Sequence, residues 1–166
     1  MSIDPPGPNP LNRSYPYLAL GVVALGVGLR LIGLDKGLWL DEYNAIDIAA
    51  SEHFIQALHV HDYPPTYFYL LKLWSFLGGS EPSLRLLSVF FGVMTMLVVM
   101  VWLKPVSRPA SLLSGLLIAT SPILLRYSQE IQAYPLLIFA TTFAFYCAFK
   151  ICSGSDQVFW PSALAI

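Results

Sequence analysis

Long apolar segments separated by short polar ones dominate the chain. Candidate membrane-spanning segments cover residues 15–34, 84–103, 110–125 and 134–151, and a final apolar segment begins at about Phe159. A transmembrane helix needs roughly 20 mostly apolar residues. The pattern therefore predicts an all-α integral membrane protein, a transmembrane helix bundle of about four to five spans with amphipathic juxtamembrane helices in the first external loop.

The composition supports a membrane protein. Of 166 residues, 56% are hydrophobic and 11% are charged, whereas soluble domains carry about 25% charged residues. A net charge of −1 provides no basic field for nucleic acid, so we expect no nucleic-acid partner. Cys147 and Cys152 form no CxxC or metal-ligand spacing and are predicted to be small lipid-facing or packing residues.

The chain divides into a short tail and one membrane module. Residues 1–14 are rich in proline and asparagine and are predicted to be a disordered cytoplasmic tail. Residues 15–166 are predicted to form one transmembrane module. Because few spans fit in this length, and an apolar segment starts near the last residue, we expect the N-terminal part of a longer, truncated architecture.

The first polar loop, residues 35–64, holds six of the ten acids, all three histidines and Lys36 as its only basic residue. Loops poor in lysine and arginine are typically non-cytoplasmic, so we expect this loop to lie outside. Its apolar positions predict an amphipathic helix along the membrane surface over residues 41–58. These positions are Ala45, Ile48, Ala49, Ile55 and Leu58.

Residues 66–78 are apolar but short for a span, and Lys72 interrupts them. An interfacial helix there places the basic turn at 104–109 in the cytoplasm, as the charge rule favours. It also places the loop at 126–134 on the same face as Asp41. A full span there would put the two loops on opposite faces, and we favour the first arrangement.

Asp41 and Glu42 are the leading candidate catalytic residues. Carboxylates at the mouth of a span are costly to keep near lipid, so their presence indicates a function. Adjacent residues on a helix point about 100° apart. One acid can therefore face a cleft while the other contacts solvent or a counter-ion. The chemistry is that of a general base or a divalent-metal ligand. The structural alternative is an ordinary acidic helix start.

Other polar residues have weaker patterns. Tyr63 precedes two prolines that impose a rigid corner, and it is a candidate substrate contact. His59 and His61 could be metal ligands, but a lone His-x-His is a weak signal and a solvated loop is the favoured interpretation. Glu130 could be a second metal ligand, or could pair with Arg126 at helical spacing. Taken alone, this polar run is better explained as an ordinary polar loop.

Two arginines lie near the ends of predicted spans. Arg30 and Arg85 are explained by side chains that extend to the lipid headgroups. Because guanidinium matches phosphate geometry, either could also hold a lipid phosphate.

Four motifs in register resemble the start of the polytopic GT-C glycosyltransferases. The likeness is to bacterial protein O-mannosyltransferase-like and lipopolysaccharide-core galacturonosyltransferase-like enzymes. Leu-Trp-Leu-Asp-Glu follows the first span, and Tyr-Pro-Pro-Thr-Tyr-Phe-Tyr-Leu-Leu begins at Tyr63. Glu-Pro-Ser-Leu-Arg-Leu-Leu-Ser covers residues 81–88, and Ser-Pro followed by Arg-Tyr-Ser-Gln-Glu covers residues 121–130, before Tyr134.

The resemblance implies transfer of a hexose or pentose from a polyprenyl-phosphate donor to a lipid, glycan or protein acceptor. The reaction would occur at the non-cytoplasmic face of the inner (plasma) membrane. Asp41 matches the family's general base or metal-organising acid, and Glu42 is its neighbour. Glu130 matches the second-loop acid, so Asp41 and Glu130 are the candidate ligands of a divalent metal, Mg²⁺ or Mn²⁺. The expected substrate-binding residues are Tyr63, Arg85, Arg126, Glu130, Gln132 and Tyr134.

Two positions depart from the family pattern. Relatives often carry arginine where this chain has Gln132, so a phosphate contact there is lost or supplied by another residue such as Arg126. Relatives often carry histidine where this chain has Tyr63, so a histidine role at that corner does not carry over.

Two other functions stay open on the sequence. A catalytically inactive truncated module or membrane interaction protein predicts that Asp41→Ala has no effect. A small transporter or channel component is disfavoured, because only Lys72 lies in mid-segment and no paired broken helices are visible.

Overall fold

The computed structural model of the protein describes residues 10–60 and 65–153. Within those ranges the chain forms eight α-helices and no strand. In chain order they are α1 (Pro10–Leu31), α2 (Leu40–Ala50), α3 (Phe54–Val60), α4 (Pro65–Ser75), α5 (Glu81–Leu103), α6 (Arg108–Thr120), α7 (Pro122–Ser128) and α8 (Tyr134–Cys152). The predicted all-α class is confirmed.

Three helices are long and apolar enough to cross a bilayer, namely Arg13–Leu31 of α1, α5 and α8. The consecutive helices α6 and α7 pass the same test together as one bent span. The described residues therefore supply three spans, or four with the bent pair. The predicted segment from Phe159 lies outside them. Helix α4 has 11 residues, too few to cross a bilayer.

Helix α1 begins at Pro10, so residues 10–14 of the predicted tail are helical. Residues 1–9 lie outside the described part of the chain.

The predicted span at 110–125 is not one straight helix. It breaks at Ser121, and α6 and α7 meet at 61°. Pro122 has no N–H to donate to the carbonyl of Ile118, four residues earlier, so the helical hydrogen-bond pattern stops there. Arg30 of α1 donates to this carbonyl instead, through Nη2 at 3.1 Å. The break is thus stabilised by a side chain from another helix.

Small residues let α1, α5 and α6 approach closely. A Cβ built at Gly26 would lie 2.9 Å from the Met96 side chain, and one at Gly115 would lie 2.6 Å from Met100 Sδ. Membrane helices pack through such small residues, because lipid gives them no hydrophobic drive to associate. Met96, Met100 and Ala119 form the buried core of this contact.

The amphipathic helices α2 and α3 pack beside α4 on the bundle. Four of the five predicted apolar positions are buried: Ala45, Ile48, Ala49 and Leu58. Ile55 is exposed instead, and Phe54 packs into the core. A continuous helix would place Ile55 on the face of Ile48, seven residues earlier. The helix is interrupted at residues 51–53, so Phe54 rather than Ile55 faces the core.

The helices give the bundle two ends. We call the end where α1 and α7 finish and α5 and α8 begin the site end. There Glu42 Oε1 accepts a hydrogen bond from the Ile131 backbone N–H at 2.8 Å. The first loop and the loop at 126–134 are therefore in contact, which confirms the prediction that they share one side. At the opposite end, the hydroxyls of Tyr15 and Ser111 are 2.9 Å apart.

Candidate active site

A buried ion pair between Glu42 of α2 and Arg85 of α5 forms the centre of the site end. Arg85 Nε donates to Glu42 Oε1 at 2.9 Å, and Nη2 donates to Oε2 at 2.8 Å. Both side chains are 1% exposed. The backbone N–H groups of Ile131 (2.8 Å) and Trp39 (3.2 Å) donate to the same carboxylate. Glu42 thereby connects α2, α5 and the loop before α8.

These contacts hold Glu42 in its ionised form. Burial alone would raise the pKa of Glu42, but the hydrogen bonds from Arg85, Ile131 and Trp39, with the Arg85 charge, bring the pKa below its ordinary value. A carboxylate that accepts four hydrogen bonds has little capacity left for a substrate proton. This geometry suits a residue that positions its neighbours.

Arg85 also holds the loop between α1 and α2. Its Nη1 donates to the carbonyls of Leu34 at 2.6 Å and Lys36 at 2.7 Å, and its Nη2 donates to that of Gly37 at 3.4 Å. All five N–H groups of the guanidinium therefore have acceptors. The headgroup interpretation of Arg85 is wrong, because the buried Glu42 directs the side chain inward. A direct substrate contact would have to displace one of these bonds.

Arg30 is fully buried as well, so the headgroup interpretation is also wrong for this residue. Besides Ile118, it donates from Nε to Ser128 Oγ at 3.2 Å and from Nη1 to the Gly26 carbonyl at 3.0 Å. Arg30 therefore fixes the end of α7 to α1. The acceptors are backbone carbonyls and a hydroxyl, which the sequence spacing does not reveal.

Gln129 closes the C-terminal end of α1. Its Nε2 donates to the carbonyls of Leu29 at 3.0 Å and Ile32 at 2.8 Å. The last carbonyls of a helix lack partners within the helix. Lys36 Nζ in turn donates to Gln129 Oε1 at 3.1 Å. The sequence did not indicate this role of Gln129, although the residue lies within the polar loop at 126–134.

An open pocket of about 480 Å³ lies beside the ion pair. We call it the cationic pocket, because Lys36 and Arg126 line it together with Trp39 and Glu130. Arg126 Nε pairs with Glu130 Oε1 at 3.1 Å, which confirms the pairing predicted from their spacing. Arg126 is 68% exposed, and an exposed pair contributes at most about 1 kcal/mol. The pair is therefore weak and leaves most of the Arg126 side chain accessible to solvent.

Asp41 lines a second pocket, of about 20 Å³. We call it the small pocket, and Gln132, Tyr67 and Phe68 also line it. Asp41 is exposed and makes no hydrogen bond or ion pair with the other described residues. The prediction that one acid faces a cleft while the other contacts solvent or a counter-ion is confirmed, because Asp41 lines this pocket and Glu42 pairs with Arg85.

The remaining predicted residues are not all brought together. Tyr134 begins α8, where its exposed ring lies 4.9 Å from that of Tyr127, centroid to centroid. Tyr63 lies outside the described residues, as do the side chains of His59 and His61.

The described residues hold no group of three or more His, Cys, Asp or Glu side chains that could bind a metal ion. Asp41 and Glu130 line different pockets, and Glu130 is paired with Arg126. The acids described here do not fit a site built from protein ligands alone. The metal role of Asp41 and Glu130 stays a prediction.

The fold and the polar site define a polytopic membrane protein with acidic and basic side chains clustered at one end of its helix bundle. Residues 62–166, well over half of the chain, match the family described as dolichyl-phosphate-mannose-protein mannosyltransferase. The chain belongs to this GT-C-type family. No curated protein and no solved structure matches it. Arg85, Arg126 and Glu130 lie within the matched range, and Asp41 and Glu42 precede it.

Proposed function

We propose that the protein is an inverting glycosyltransferase that moves a sugar from a polyprenyl-phosphate donor to an acceptor hydroxyl. Family membership supports a lipid-phosphate donor and a protein acceptor. The observation that carries the proposal is the position of Asp41. Its unengaged carboxylate adjoins Glu42, which is held by four hydrogen bonds beside the cationic pocket.

The chemistry divides between Asp41 and the cationic pocket. Asp41 accepts the proton of the acceptor hydroxyl while the hydroxyl oxygen attacks the anomeric carbon of the donor sugar. The bond from that carbon to the phosphate oxygen breaks, and its electron pair stays on the phosphate. Lys36 and Arg126 face the growing negative charge, which positioned cations stabilise more in the transition state than in the ground state.

The distribution of charge supports a non-cytoplasmic site. Among the described residues, the opposite end of the bundle carries four basic side chains and no acidic one. They are Arg13, Lys104, Arg108 and Lys150. Five of the described basic residues lie toward the site end, but Arg30 and Arg85 are buried in the bundle, which leaves Lys36, Lys72 and Arg126 there. Basic residues favour the cytoplasmic side of a membrane. We therefore propose that the site end faces away from the cytoplasm of a plasma membrane.

A divalent cation remains a proposal. Mg²⁺ is commonly held by one or two carboxylates together with substrate phosphates, and Asp41 and Glu130 are the residues that would contribute. Loss of transfer on addition of EDTA, with recovery on addition of Mg²⁺ or Mn²⁺, would support it. Transfer that EDTA leaves unchanged would contradict it.

The direct test is transfer from radiolabelled polyprenyl-phosphate mannose to acceptors in membranes that contain the full-length protein. Asp41→Asn removes the base and should lower the rate by about 10²–10⁴-fold. Asp47→Asn is the matched control, because Asp47 is an exposed acid on the same helix. Equal rates for the two variants would refute the role of Asp41. Absence of transfer by the inserted wild type, beside an active control enzyme, would refute the proposed function for that donor.

A further inference from the structure

The small pocket beside Asp41 has the size of a single hydroxyl group or water molecule. Its volume is about 20 Å³, and a cavity needs roughly 10–15 Å³ in this measure to hold one water. Asp41 and Gln132 come from the two loops that the hydrogen bond from Ile131 to Glu42 joins. The pocket is thus built by the same contact that organises the site end.

Two polar side chains that line this pocket have unused hydrogen-bonding capacity. Asp41 and the Gln132 amide make no side-chain hydrogen bond with the described residues. The Tyr67 hydroxyl is buried beside the Ser88 hydroxyl of α5, which does not line the pocket, so it is not one of these groups. Elsewhere at the site end, Glu42, Arg85 and Gln129 are fully engaged.

The chemistry of these groups matches a hydroxyl. A hydroxyl has one donor and two acceptor lone pairs. It can donate to the Asp41 carboxylate while it accepts from the Gln132 amide. The side-chain amide would then hold the oxygen with a lone pair directed away from Asp41, as attack on carbon requires.

We propose that the small pocket is the subsite of the attacking hydroxyl and that Gln132 positions this hydroxyl against Asp41. The inference rests on the proposed function and deepens it. The proton passes to Asp41, the new bond joins the hydroxyl oxygen to the anomeric carbon, and the lipid phosphate leaves with the bonding electrons. A subsite of this size accepts the hydroxyl of an acceptor whose remaining atoms lie outside it, and it also accepts water or methanol.

The test measures each acceptor separately. The purified full-length protein receives radiolabelled polyprenyl-phosphate mannose with water alone, with methanol, or in membranes with their own acceptors. Free mannose, methyl mannoside and labelled membrane product are counted. Gln132→Leu should lower turnover by about ten- to hundredfold with each acceptor that the wild type uses. The donor KM should stay within about twofold, because the hydroxyl subsite does not bind the donor phosphate.

Two further variants separate positioning from folding. Gln132→Glu keeps the side-chain length but removes the amide donors, so its turnover should fall as well. Gln56→Leu makes the same change as Gln132→Leu at an exposed position on α3 and should match the wild type. Wild-type rates in both Gln132 variants would overturn the inference, with the pocket then holding only a structural water, while the proposed function stands. A wild type that uses no acceptor would overturn both.

Discussion

Glu42 and Arg85 are joined by two parallel hydrogen bonds, although 43 residues separate them in the chain. The pair uses two of the five Arg85 donors and links α2 to α5, while backbone carbonyls accept from the other three donors. Buried ion pairs are costly to form, because both charges leave water. The backbone groups that complete this pair, Ile131 and Trp39 on Glu42 and three carbonyls on Arg85, offset part of that cost.

Removal of Arg85 should therefore be strongly destabilising. In Arg85→Met the buried carboxylate of Glu42 loses its counter-ion, and we expect a loss of about 3–5 kcal/mol. The free energy of unfolding in detergent measures this. Arg126→Met is the control, because that arginine is exposed and should cost no more than about 1 kcal/mol.

The double variant Glu42→Met/Arg85→Met should recover only part of the loss. Two apolar side chains remove the unpaired charge, but the three carbonyls that Arg85 binds lose their donors and the N–H groups of Ile131 and Trp39 lose their acceptor. Full recovery would show that water molecules replace the lost hydrogen-bond partners of these backbone groups. No recovery would show that the carboxylate is not the source of the loss.

Acid should weaken the protein through Glu42. Its pKa lies below the ordinary value in the folded state, so the unfolded chain takes up a proton first as the pH falls. The stabilising contribution is complete above the unfolded value of about 4.3 and is lost as the pH falls through the lower folded pKa. Melting temperatures from pH 7 to pH 3 measure the loss. Glu42→Gln should flatten this curve, and an unchanged slope would contradict the assignment.

Lys36 and Arg126 should govern binding of the donor phosphate. The double variant Lys36→Gln/Arg126→Gln should raise the donor KM or lower kcat/KM by about 10²-fold, because each cation contributes a charge-assisted hydrogen bond. Lys104→Gln, at the opposite end of the bundle, is the control. An unchanged donor KM and kcat/KM in the double variant would exclude the cationic pocket as the phosphate site.

The sequence predicted much of this arrangement. The lengths of the apolar segments predicted the spans. The scarcity of basic residues at 35–64 led to the prediction that this loop and the loop at 126–134 lie on the same side. The adjacency of Asp41 and Glu42 on a helix predicted that their side chains point in different directions. Local patterns report which residues are apolar and which turns are rigid. They therefore identified the helices and most of the buried positions of α2 and α3.

The incorrect predictions concern residues whose partners lie far away in the sequence but close by in the fold. Nothing near Arg30 or Arg85 in the chain indicates that backbone carbonyls and Glu42 bind these arginines, so their positions near span ends suggested headgroups. Gln129 caps a helix that ended about 100 residues earlier. Pro122 did contain the signal for the bend, but the apolar composition around it outweighed that signal.

Close packing around Arg30 gives the last prediction. A Cβ at Gly92 would overlap Ser128 Oγ and lie 3.0 Å from Arg30 Nε. Gly92→Ala should therefore cost about 1–3 kcal/mol, as overpacking does. It should also lower the rate of sugar transfer, because Ser128 is the last residue of α7, which contains Arg126 and precedes Glu130. Gly28→Ala is the matched control, since its Cβ would meet nothing within 4 Å. Equal unfolding free energies and transfer rates for the two variants would show that α5 and α7 can move apart at little cost. That result would contradict the prediction that close packing at Gly92 holds the site end in place.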